Sequence, residues 1–109
     1  MPGIALVSLV GEHELYDARN LKERIDALID EGLAVVIDLT EAVFLDSSIV
    51  GVLLETQKRA ETAGVDYRVV LGDSTGTSVR RMFEITGLTE ILPIVERDGA
   101  PPSSLTRRG

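Results

Sequence analysis

The order of apolar runs predicts an α/β fold: one domain with a mixed, largely parallel sheet of about four strands packed with about three helices. Three observations carry that reading. Short apolar runs alternate with stretches of helical period, which implies crossovers onto a parallel sheet. The run at 33–39, LAVVIDL, is apolar at successive positions down to Asp38, as suits a strand covered on both faces. The length, 109 residues, is enough for one packed core and too short for two.

Residues 4–10 form a first apolar run closed by Gly11 and read as a strand. Ala18, Leu21, Ile25, Leu28 and Ile29 then recur at three- and four-residue steps. They predict a helix capped by Asp17, running to about Glu31 and stopped by Gly32. After the strand at 33–39, residues 40–46 read as a loop with an apolar tip, Val43-Phe44-Leu45. A second helix is expected from about Ser48 to Ala63 with Gly64 as its stop, and a strand at 65–71 follows. The third helix covers about 77–86, with Val79, Met82 and Phe83 inward and Gly87 at its end. A last strand is expected within 88–95, at an edge of the sheet because Pro93 has no N–H to donate. The domain is therefore assigned to 1–97. Residues 98–109, DGAPPSSLTRRG, have no apolar periodicity and read as a disordered tail.

Composition excludes several function classes. The chain is 44% hydrophobic, as folded globular proteins are. It has 18 acidic and 11 basic residues, a formal net charge of -7, with the excess lying wholly before Gly72. Nucleic acid and anionic membrane are thus not expected partners. With no cysteine and one histidine, the chain is expected to hold no metal and no cofactor. Aromatic residues make up 4%, too few for a surface that stacks bases. No apolar stretch approaches a membrane span, and Met1-Pro2-Gly3 lacks the basic start of a secretory signal, so a cytoplasmic protein is expected.

Few residues offer chemistry. Gly72-Asp73-Ser74-Thr75-Gly76 has the look of a phosphate-binding loop, but its glycines are one residue too close and no Lys follows Gly76. A turn leading into a Ser/Thr-capped helix accounts for it. His13 stands alone between Glu12 and Glu14, with no second ligand, and with Asp17 these acids suit a helix N-terminus. Arg80 and Arg81 read as solvent-facing. Asp46-Ser47-Ser48 lies between the apolar loop and an apolar helix, where Asp or Ser is first of all an N-cap. A hydrolase elbow is not encoded, since Leu45 and Ile49 occupy the positions where it needs glycine. With no encoded base, metal site or cofactor loop, an enzyme is not expected.

The stretch at 44–54, FLDSSIVGVLL, resembles the signature of the STAS domain family of bacterial anti-sigma factor antagonists. Gly11-Glu12, Val36-Ile37-Asp38-Leu39 and the segment from Val79 to Leu88 resemble further family motifs in matching order, across residues 4–95. The resemblance implies a STAS-like fold and a non-enzymatic role. An anti-sigma factor, itself a serine kinase, would phosphorylate Ser47, with Ser48 the second candidate. The unphosphorylated form would bind that kinase through Asp46, Ser47, Ser48, Ile49 and Gly51, and so free a sigma factor. A PPM-type phosphatase would reset the switch. The alternative it implies is a STAS module of a stressosome-like or lipid-transport assembly that is never phosphorylated.

This chain departs from the family pattern at four places. Ile49 replaces a glycine, which would set a β-branched side chain beside the site, and Glu14 replaces an aspartate. Three residues precede the first apolar run, so the family's initial strand is expected to be short or missing. The tail with Pro101-Pro102 stands where the family has a helix. The uncovered sheet edges would suit a homodimer.

Overall fold

Burial alternates along the first strands, and that alternation shows which face the sequence covers. In the computed structural model, which describes residues 3–13 and 15–97, β1 (Ile4–Ser8) buries Val7, while Ile4 and Leu6 stay exposed. A short β2 (Gly11–His13) follows, then α1 (Leu15–Asp30) and β3 (Ala34–Asp38). Next come β4 (Ala42–Leu45), α2 (Ser47–Ala63) and β5 (Tyr67–Gly72). The described part of the chain ends with α3 (Thr77–Thr86), α4 (Leu88–Ile91) and β6 (Ile94–Arg97). The expected tail at 98–109 lies outside the described residues.

The α/β class holds. The main sheet runs β1-β3-β5-β6, with every pairing parallel, and β1 and β6 are its edges. Val7, Val35, Ile37, Val69 and Leu71 point to one face and are buried beneath α1 and α2. Ala18, Leu21, Ile25 and Ile29 of α1 meet them, as do Ile49, Val52, Leu53 and Ala60 of α2. The expectation that the strand at 33–39 is fully covered on both faces is corrected: Val35 and Ile37 are buried, but Ala34, Val36 and Asp38 are only partly so. Its apolar run reflects β-propensity on the open face as well as burial on the covered one.

Three further expectations change. The segment at 40–46 is not all loop, because β4 pairs with β2 in a separate two-stranded sheet. The last strand begins only at Ile94, since Leu88 and Leu92 are both buried at a four-residue step that a helical turn satisfies. Pro93 precedes that strand, where its carbonyl accepts from the Val69 N–H. Arg80 is not simply solvent-facing. It donates to both Glu96 carboxylate oxygens at 2.9 and 3.0 Å and to the Gly72 carbonyl at 2.7 Å, tying α3 to β6, whereas Arg81 is exposed.

Charged and polar groups fasten the helices to each other and to the sheet. Arg59 of α2 pairs with Asp26 at 3.0 Å and with Asp30, both on α1, and Lys22 reaches Asp26 at 2.7 Å. Beneath α2, the Tyr67 hydroxyl lies 2.8 Å from Thr56 Oγ1 and donates to the Leu53 carbonyl at 3.1 Å.

Candidate functional site

The head of α2 is built by Asp46. Its backbone is extended (φ -71, ψ 153), and its Oδ1 accepts from the Ser48 N–H at 2.7 Å. Its carbonyl accepts from the Ile49 and Val50 N–H groups at 3.0 and 3.1 Å, starting the helix ladder. This is the N-cap the sequence predicts, and it takes up one donor that the first helical turn leaves without a partner. At the far end, Gly64 adopts φ 75, and its N–H reaches back toward Ala60 and Glu61.

The cap decides how the next residues face. Ser47 opens the helix and is exposed, Ser48 is half-buried, and Ile49 is 0% exposed in the core. The assignment of Ile49 to the partner-binding set is therefore corrected: its side chain is turned inward and cannot touch a docked protein. Gly51 is half-buried, and a Cβ placed there would meet nothing within 4 Å. No carboxylate lies in the first helical turn. A negative group on Ser47 would meet the positive end of the helix dipole and, one residue back, the Asp46 carboxylate.

An apolar rim leads to this site. Val43 is 50% exposed and Phe44 42%, directly before the buried Leu45, and Val10 is 59% exposed just before β2. The backbone of β2 brings Gly11, Glu12 and His13 beside β4, with His13 opposite Leu45. The side chains of Glu12 and His13, and all of Glu14, lie outside the described residues.

The turn at 72–76 is closed by Thr75. Thr75 Oγ1 accepts from the Gly72 N–H at 2.9 Å and donates to the Leu39 carbonyl at 2.8 Å. The N-cap of α3 is Gly76, with no side-chain capping bond, rather than the Ser or Thr expected. Among the described residues, no group of three or more His, Asp or Glu side chains is placed to hold a metal. Among them, too, no helix is long and apolar enough to cross a membrane.

Parallel strands under one helical layer, with Asp-Ser-Ser heading the second long helix, agree with the family model of the STAS domain, which matches residues 1–98. The chain belongs to the STAS family. The anti-sigma-B factor antagonist of Bacillus subtilis is 30% identical over 88 residues, spanning 81% of this chain and 78% of that protein. Among solved structures, an anti-sigma factor antagonist from Mycobacterium paratuberculosis is similar at TM-score 0.72 and 30% identity. That match covers 84% of this chain and 76% of the other. The unphosphorylated anti-sigma factor antagonist SpoIIAA shares the fold at TM-score 0.75 and 18% identity, over 89% of this chain and 82% of that one.

Sequence reasoning missed β4 and the side of it that faces α3. A partner strand of three residues, such as β2, is too short to show a period of its own. The one available signal is the second glycine of the turn at 72–76, which by its letter alone reads as turn chemistry.

Proposed function

We propose that this STAS domain is an anti-sigma factor antagonist. It binds an anti-sigma factor through the head of α2 and the apolar rim before it, and so releases a sigma factor. In this reading the anti-sigma factor is a serine kinase that modifies Ser47, and a PPM-type phosphatase removes the phosphate. The role is one of binding in the cytoplasm, without catalysis by the chain itself. The observation that carries the reading is the exposed Ser47 at the first position of α2, next to the exposed pair Val43 and Phe44. Relatives whose names give them the same role support it. Ser48 is the lesser candidate because it is half-buried and its N–H is engaged by Asp46.

A STAS module that is never phosphorylated drew its support from Ile49 as an obstacle beside the serine. With Ile49 in the core, that support is gone.

The test uses the anti-sigma factors of the organism that encodes the chain, each purified and incubated with it and ATP. Mass spectrometry should locate one phosphate on Ser47, and calorimetry should show binding of the unmodified chain to that same kinase. If no kinase modifies Ser47 and none binds, the reading fails.

A further inference from the structure

The Ser47 site stands where β4 delivers the chain, and β4 has a defect. Gly11 pairs with Ala42 and Glu12 with Phe44, so Val43 is an extra residue without a partner in β2. It forms a β-bulge, which redirects the side chains that follow. A regular strand with Ala42 inward would expose Val43, bury Phe44 and expose Leu45. Here Val43 and Phe44 are both exposed, and Leu45 returns to the core. The bulge thus forgoes burying an aromatic ring and presents two adjacent apolar side chains just before Ser47.

A two-stranded ribbon with a three-residue partner does not hold such a bulge alone. The other side of β4 is gripped by the start of α3. The Gly76 N–H donates to the Ala42 carbonyl at 2.8 Å, and Ser78 Oγ donates to the Val43 carbonyl at 2.9 Å. A Cβ on Gly76 would sit 2.5 Å from the Val43 carbonyl oxygen and 3.0 Å from its carbonyl carbon and Cα, all backbone atoms that cannot swing away. Thr75 fastens this turn to the end of β3 through the Leu39 carbonyl.

We infer that Gly76 and Ser78 are positioning residues: they hold the Val43 bulge, so that Val43, Phe44 and Ser47 form one docking surface for the partner. The inference deepens the proposed function and rests on its view that the partner docks at the head of α2. It gives a role to a turn that otherwise reads as a failed phosphate loop.

The experiment compares wild type with Ser78→Ala, Ser78→Thr, Gly76→Ala and the control Ser47→Asp. Ser78 is exposed, so Ser78→Ala should melt within about 2 °C of wild type. Amide exchange at 42–47 should nonetheless rise roughly 10-fold, because the bulge opens locally. With the kinase that modifies wild type, KM for the chain should rise about 5-fold at unchanged kcat, the mark of lost docking rather than lost chemistry. Ser78→Thr keeps the hydroxyl and should restore both values. Gly76→Ala should show the larger defect, and if it does not fold, the Ser78 pair decides. Unchanged exchange in Ser78→Ala overturns the clamp. Raised exchange with unchanged KM, where Ser47→Asp does lose binding, overturns its positioning role. If Ser47→Asp binds like wild type, charge control at Ser47 is what fails, and exchange and KM in the Ser78 pair still judge the clamp.

Discussion

Ser47 and Ile49 stand two residues apart at the head of α2, one exposed and the other wholly buried. Two helical steps rotate a side chain by about 200°, so a site facing the partner at Ser47 faces the core at Ile49. Ile49→Gly should therefore act on folding. Removing a buried isoleucine costs about 2–5 kcal/mol, and glycine in a helix adds about 1. Denaturant melts should show that loss, while the phosphorylation rate per folded molecule stays at the wild-type value. A faster rate with little loss of stability would put the side chain back beside the serine.

Asp26 sets a pH dependence on the packing of α1 against α2. Partial burial alone would raise its carboxyl pKa, but hydrogen bonds from Lys22 and Arg59, with their charges, outweigh it and hold the pKa below the usual carboxylate range. A depressed folded-state pKa contributes stability above the unfolded value of about 3.9, and that stability is lost as pH falls through the folded value. Asp26→Asn should lower the melting temperature by a few degrees at pH 7. The gap should close as the wild type is titrated below pH 4. A gap that persists at pH 2 would mean the loss is one of packing, not charge.

Tyr67 behaves in the opposite sense. Burial pushes its hydroxyl up to about 12, with the Thr56 hydrogen bond opposing the shift. Because the unfolded phenol ionises near 10, the neutral buried form contributes stability below that pH, and the contribution fades between about 10 and 12. Tyr67→Phe removes its hydrogen bonds to Thr56 and Leu53 and should cost about 1 kcal/mol at pH 7. The difference should shrink in alkaline melts above pH 10. No difference at pH 7 would show the two hydroxyls to be energetically idle.

The elements that were legible in the sequence are those whose own side chains encode their period. Val79 and Phe83, with Gly87 at the end, mark α3 to the residue, and Asp46 and Gly64 bracket α2 to within one. What was illegible depends on distant partners. The β4 strand exists because a remote tripeptide pairs with it, and its bulge exists because Gly76 admits the Val43 backbone. The burial of Ile49 is illegible in a family resemblance because the resemblance compares letters, while the helical rotation that turns its side chain inward is geometric. Leu88 and Leu92 fit an alternating strand as well as a helical turn until the chain reversal at Gly87 (φ 74) is known.

The strongest prediction concerns Ser47 as a switch. A phosphate there adds about −1.5 to −2 charges one residue from the Asp46 carboxylate. At ~5 Å and an effective dielectric of ~20, each added charge repels Asp46 by roughly 3 kcal/mol at most. The helix N-terminus returns up to about 2 kcal/mol, and solvent and salt at this exposed position shrink the repulsion further. The free domain should therefore keep its fold, and Ser47→Asp should melt within a few degrees of wild type. A docked partner faces a different balance, since it must strip water from that charge beside the apolar Val43 and Phe44. A penalty of about 3–4 kcal/mol there lowers affinity by 10²- to 10³-fold, enough to release the partner. Ser47→Ala should bind and resist phosphorylation, and Ser48→Ala should change little. Equal affinity for wild type and Ser47→Asp, measured by calorimetry on the same partner, would mean that charge at Ser47 does not control docking.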